Sequence, residues 1–508
     1  MSLNSRFFTI GWRKPAELPK GKRRRVAPIE WAAKIGDTGI PSIPGRTARL
    51  KAINLLQIAA EVEHALMAQY LYAAYSLDEA FEQGEGEATR VIDRWKRDIR
   101  IVARQEMAHL ITVQNLLIAL GAELYVNREN NFSEHPDQYP FPVRLERFGL
   151  DPLARYVATE SPIVDEIPDQ ATRTLLRKIL RRADRSNMDV KTKVNRVGML
   201  YAALYWLFLK SDTAKGPWPM PAGMKRCMRA SLRGMHLEDS DFVPVTQYEQ
   251  FCADPQEWEV FEAGFRVSAS DPRSRALQAI RWIMIQGEGP TGVSCSATES
   301  HFCRFLGIYQ DLEREPKLAR AARPVPVNPV TADTARTEPV AQGAQAITHP
   351  ESKLWASLFN VRYQMLLLDI LLALSTNRRG PDRDMRKELT SWAASHEMEY
   401  LKQIGQLLPA LPRALGSKGR AGAPFEFVML PTDNTKRWDQ QRVLIQGSND
   451  LAEKLTRIVA PHDMRLSLLE TILKFDRGRR KYVEERSAVV RRKYEWRNGT
   501  NQRIAKYA

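Results

Sequence analysis

Apolar residues recur every three to four positions through most of this 508-residue chain, and they almost nowhere alternate. That spacing predicts helices over 48–80, 88–120, 171–182, 190–209 and 274–286, and another beginning near residue 298. Further helices are predicted over 353–376, 385–408, 449–474 and 477–492. The second helix stops at Gly121, a natural C-cap, and the 449–474 pattern is interrupted at Pro461. Residues 425–430 form one of few strand-like runs. Residues 125–142, with Asn127, Asn130, Asn131 and His135, read as an irregular loop that either closes over a site or crosses the surface. The stretch 320–350 contains Pro324, Pro326, Pro329 and Pro339 and reads as an extended connection. The expected fold class is all-α: a four-helix bundle with additional C-terminal helices and long irregular loops. Its expected parts are a basic arm at 1–47, the bundle at 48–320, the Pro- and Ala-rich crossing at 321–350, and a helical region at 351–508 packed on the bundle.

One interruption of the apolar pattern carries chemistry. Ile99, Val102, Val113, Leu117 and Leu120 share a stripe of the second helix, and Glu106 and His109 break it at its middle. A carboxylate in an apolar seam costs several kcal/mol unless a cation, metal or proton neutralises it. Glu106 and His109, three apart, therefore point to a metal held in a helical bundle. A buried Glu–His hydrogen bond, or a solvated Glu, fits the same spacing.

The first helix adds Glu63, whose neighbours one to three turns away are Leu56, Ala60, Met67, Tyr70 and Ala74. Glu61 lies roughly 160° around the same helix, among Asn54, Gln57 and His64, and reads as a surface charge. His64 points away from Glu63 and reads as a supporting or capping histidine rather than a ligand. Carboxylate-bridged di-metal bundles take a Glu from each of two helices and a Glu-x-x-His from each of the other two. Glu288 continues the apolar row Leu277, Ile280, Met284, and His301 shares a face with Phe305 and Ile308. The position three before His301 is Thr298, so the second Glu-x-x-His is broken. Glu299 can replace it only if the helix start is irregular, and a mononuclear or asymmetric site stays open.

The runs Glu61-Val62-Glu63-His64-Ala65-Leu66, Gln105-Glu106-Met107-Ala108-His109, Gln286-Gly287-Glu288-Gly289 and Ser300-His301-Phe302-Cys303-Arg304-Phe305, with Leu358-Phe359-Asn360 and Ala421-Gly422-Ala423-Pro424-Phe425-Glu426-Phe427, resemble the ferritin-like domain of the iminophenyl-pyruvate dimer synthase family. Enzymes of that family couple two oxidised tryptophan-derived imines in violacein, rebeccamycin and staurosporine biosynthesis. The resemblance covers roughly residues 50–427 and implies a ferritin-like four-helix core holding iron or a similar metal. It also implies redox chemistry on an amine- or amino-acid-derived substrate. It does not carry over the particular reaction. Haem has been associated with that coupling, but no Cys-x-x-Cys-His motif occurs here, so non-haem iron, mono- or dinuclear, is favoured over haem.

Composition narrows the setting. At 44% apolar content the chain can bury a large core. Its four cysteines, Cys227, Cys252, Cys295 and Cys303, show no short-spaced pair, which argues against a disulfide scaffold or zinc ribbon and for a reducing, cytoplasmic location. No leader-like apolar run opens the sequence, and the later apolar segments read as too interrupted to span a membrane. The net charge of +16 raises a nucleic-acid alternative, with basic runs at 20–25, 477–481 and 491–493. Interleaved Glu484, Glu485 and Glu495 favour a solvated helix instead, so nucleic acid is not the expected partner. The sequence reading is a non-haem metal oxidoreductase with Glu63, Glu106, His109, Glu288 and His301 as ligands. Its partners are a small-molecule or peptide substrate and O₂ or peroxide, with no membrane, and self-association is open. A non-catalytic binding protein of the same fold is the alternative.

Overall fold

A computed structural model describes residues 45–78, 86–128, 144–186, 194–232, 234–258, 271–289, 294–295, 299–331, 343–426, 428–460 and 463–504, with side chains up to 486. The basic arm up to residue 44, Thr298, Pro461, and Asn130, Asn131 and His135 of the long loop lie outside these residues. The protein is all-α, and the chain divides into two compact units, Met1–Asn328 with Pro339–Gly343, and Pro329–Glu338 with Ala344–Ala508.

In the first unit, α1 (Ala48–Ser76) and α2 (Glu87–Ala119) pack along their length. Thr47 caps α1 by accepting from the Leu50 amide, and Gly121, in the left-handed region at φ +61°, ends α2 as its position predicts. Shorter helices complete the bundle: α3 (Leu150–Glu160), α4 (Gln170–Ser186), α5 (Val197–Phe208), α6 (Ala222–Leu232), α7 (Val245–Phe251), α8 (Pro272–Gly287) and α9 (His301–Arg314). Among these, α3 packs on α9, and α5 packs on α8 and α1. Every residue of α5 is buried, so its continuous apolar run is a core helix. The helices α3, α6 and α7 have too few residues for the apolar period to stand out, and the sequence pattern passes over them.

The far side of α1 is covered as well. Glu61 is buried, not a surface charge: the Tyr125 hydroxyl donates to it at 2.5 Å, and His64 Nδ1 lies 2.8 Å from the Val126 carbonyl. The irregular segment after α2 supplies both contacts, which a reading of the helix by itself could not include.

In the second unit, α10 (Pro350–Leu374) packs against α11 (Arg383–Ser391), α12 (Met398–Leu407) and α13 (Asn434–Thr456), and α13 packs on α14 (Met464–Ile504). One turn of π-helix, Trp392–Glu397, joins α11 to α12. Contrary to the sequence reading, α10 is long and apolar enough to cross a membrane, but 89% of its most apolar window is buried inside the protein. It carries the buried Arg362 and Asp369, which marks it as a core helix.

The strand expected at 425–430 does not form among the described residues; Phe425 turns to φ +51° and Glu426 is buried. Its carboxylate accepts from the Thr331 amide and hydroxyl and from Asn360, each at 2.9 Å. The strands among the described residues are Pro329–Thr331 and Gln345–Ile347, a short parallel pair within the crossing. Cys295 and Cys303 form a disulfide. It corrects the cysteine argument: the two stand only 8 positions apart, and their Cα atoms lie 5.2 Å apart. The cysteine pattern then no longer favours a reducing compartment.

Candidate metal centre

Four of the five expected ligands meet, and a fifth group joins them that the pattern did not reveal. Glu63 projects from the middle of α1, Glu106 and His109 from α2, and His301 from the first turn of α9. Glu160, the last residue of α3, faces His301. All five are at most 4% exposed.

The geometry has two halves. His109 Nδ1 lies 2.8 Å from Glu106 Oε2 and 3.4 Å from Glu63 Oε2. His301 Nδ1 lies 3.1 Å from Glu106 Oε1 and 3.6 Å from Glu160 Oε2. Glu106 therefore faces both histidines, one with each oxygen, while Glu63 and Glu160 flank the two sides. The histidine rings stand 5.3 Å apart between centroids.

Each outer carboxylate is steadied on its other oxygen by a buried phenol. Tyr201 of α5 donates to Glu63 Oε1, and Tyr70 of α1 donates to Glu160 Oε1 at 2.6 Å. Burial first, and then the adjacent carboxylate, pushes both phenols well above their usual range, so they remain donors. Glycine makes room at one wall: a Cβ at Gly287 would come to 3.2 Å from Glu160 Oε2.

The electrostatics describe a site short of positive charge. Burial raises Glu63 to about 8, and the nearby Glu106 adds to the rise. Burial alone would lower His301, but the Glu106 and Glu160 carboxylates raise it to about 9, and His109 is raised well above its ordinary value by Glu106 and Glu63 against the same burial. Protons on the imidazoles are the only cations the chain itself offers there among the described residues. Glu63 Oε2, Glu106 Oε1 and His301 Nδ1 are buried without an aligned hydrogen-bond partner, although Glu106 Oε1 and His301 Nδ1 face each other and Glu63 Oε2 faces His109 Nδ1. Carboxylate oxygens and imidazole nitrogens are donors that a transition metal can use, and Glu106, His109 and His301 can offer atoms within 4.8 Å of one another.

Glu288 does not join them. It follows α8, and its Oε1 accepts from Arg196 at 2.7 Å; a Cβ at Gly198 would overlap its carboxylate. The apolar row along α8 brings it to a partly buried edge, but the guanidinium at the start of α5 claims it. Glu299 is 84% exposed and paired with Arg304, so it does not replace Thr298. Glu160 was missed because α3 is short and its site residue is the terminal one, where no periodicity frames it.

Residues 56–220 match the family model for ferritin-like domains, which places Glu63, Glu106, His109 and Glu160 inside a ferritin-like domain and leaves His301 beyond the matched stretch. The chain is also similar to dichlorochromopyrrolate synthase from Lentzea aerocolonigenes, at 27% identity over 447 residues, 80% of this chain and 40% of that protein. The chain thus spans about two fifths of the length of this curated relative. No solved structure matches it significantly. The two matches bear out the resemblance read from the glutamate and histidine runs.

Proposed function

We propose that the first unit is a non-haem iron oxidoreductase of specialised metabolism that acts on an amine- or amino-acid-derived small molecule or peptide with O₂ or peroxide as oxidant. The observation that carries this reading is the buried cluster in which Glu106, His109 and His301 can offer ligand atoms within 4.8 Å of one another, with Glu63 and Glu160 beside the two histidines. Similarity to a synthase supports the biosynthetic setting.

Glu63, Glu106 and His109 would hold one metal ion, and Glu106, Glu160 and His301 a second, with Glu106 common to both. Glu160 takes the place that the sequence reading gave to Glu288. Bound iron supplies the electron-transfer and oxygen chemistry that side chains lack. The chain's own contributions are positional. Tyr201 and Tyr70 hold Glu63 and Glu160 by the oxygens turned away from the histidines. The surrounding helices exclude water, and His109 and His301 would give up their Nδ1 protons to a bound cation, so occupancy would tighten as pH rises.

Elemental analysis of the purified protein tests the reading. Wild type is expected to carry about two transition-metal ions per chain, one per half-site, and Glu106→Ala to lose both. Equal metal content in wild type, Glu106→Ala and His109→Ala rejects it.

A further inference from the structure

Each candidate ligand histidine has a second ring nitrogen, and both find the same kind of partner. His109 Nε2 lies 2.9 Å from Gln286 Oε1, and His301 Nε2 lies 3.1 Å from Gln105 Oε1. The two glutamines come from different helices. Gln105 precedes Glu106 on α2 and reaches across to α9, whereas Gln286 sits in the last turn of α8 and reaches to α2. In both rings Nδ1 is turned to the carboxylates and Nε2 to an amide oxygen.

That repetition has a chemical consequence. An imidazole that gives its Nδ1 lone pair to a cation must carry its remaining proton on Nε2, and a buried N–H needs an acceptor. An amide oxygen accepts that bond without adding a further negative charge to a centre that already holds three carboxylates. It fixes the tautomer and the ring plane together.

We propose that Gln105 and Gln286 are positioning residues of the centre: each locks one histidine as an Nε2–H tautomer so that Nδ1 is the metal-binding atom. This rests on the metal reading above. It also gives α8 a role although it offers no ligand, since its last turn serves both halves: Gln286 meets His109, and Gly287, lacking a Cβ, leaves room for Glu160. The chain departs here from carboxylate-backed histidines, with a neutral acceptor on both sides.

Cobalt(II) serves as the probe, because its visible absorption reports binding and its paramagnetism shifts the protons of ligand rings. Wild type loaded with cobalt(II) should show two strongly shifted N–H proton resonances that vanish in D₂O, one from each Nε2–H. Gln286→Leu should remove the His109 resonance, change the visible bands, and weaken cobalt(II) binding by about 10- to 100-fold. Gln286→Glu, which restores an acceptor, should recover the resonance and most of the affinity. Gln105→Leu and Gln105→Glu should do the same for His301.

Failure of wild type to bind cobalt(II) would remove the metal reading itself. Binding by wild type without the two exchangeable resonances would overturn the positioning inference alone, and this does not depend on whether any variant folds. The inference also fails if the leucine variants match wild type, or if the glutamate variants fare no better than leucine.

Discussion

Each unit buries a cluster of three carboxylates among helices, but the two clusters answer the charge differently. In the second unit Asp369, Glu397 and Asp476 meet Arg362 and Arg479, all at most 2% exposed. Arg362 pairs with Asp476 at 2.7 Å and with Glu397 at 2.7 Å; Arg479 pairs with Glu397 at 2.5 Å and with Asp369. In the first unit Glu63, Glu106 and Glu160 meet only His109 and His301 among the described cationic groups. Covalently attached guanidiniums stay charged and close a cluster permanently, whereas an imidazole can exchange its proton for a metal. Three buried acids therefore do not by themselves mark a metal site; the nature of the facing cations decides. The same contrast removes Arg479 from the basic C-terminal run, since it serves the interior and not a polyanion.

The comparison breaks most sharply at the arginines. Arg362→Met should cost about 3–5 kcal/mol, the usual penalty for stranding buried charge, measured by chemical denaturation. A loss below about 1 kcal/mol would mean that the second cluster is not held by its guanidiniums.

A pH series comes next. Burial raises Asp369 to about 6 and Glu397 to about 7, with the arginines opposing the rise. Folded values above the unfolded ones mean that the native state holds more protons, so this stability is complete below about pH 4 and is lost as pH climbs through 6 to 7. Hydrogen exchange of α10 amides should therefore speed up across that range, beyond the intrinsic base-catalysed rise, with or without metal. The metal-free first unit should also weaken with rising pH, because Glu63 and His301 titrate near 8 and 9, but loading with metal should reverse that trend. An identical metal effect on both units would erase the distinction.

Glu63→Gln sharpens the contrast further. It should abolish or strongly weaken metal retention while leaving the metal-free protein at least as stable in thermal unfolding above the Glu63 value of about 8, because a costly ionised carboxylate is gone. The smallest effect is expected at Gly287→Ala. Its Cβ presses on Glu160, so metal affinity should fall several-fold with stability changed by under about 1 kcal/mol; unchanged affinity would show that Glu160 stands clear of the wall.

Much of the site was legible because charge interrupts an apolar period only for a reason. Glu63, Glu106 and His109 lie on long helices whose stripes frame them, and His301 heads a capped helix. Glu160, Gln105 and Gln286 were not legible: one ends a short helix, and the glutamines are ordinary residues until a ring nitrogen is seen to need them. Glu288 read as a ligand because it continues an apolar row, and a row along one helix does not reveal that Arg196 waits on another.

The order of helices, the apolar faces that must be buried and the conflict posed by Glu106 were set by local sequence, since periodicity and desolvation act residue by residue. Which carboxylates share a cation, which pair with arginine, and the Cys295–Cys303 bond were decided only when distant segments packed together, because electrostatic partnership depends on distance through space and not along the chain.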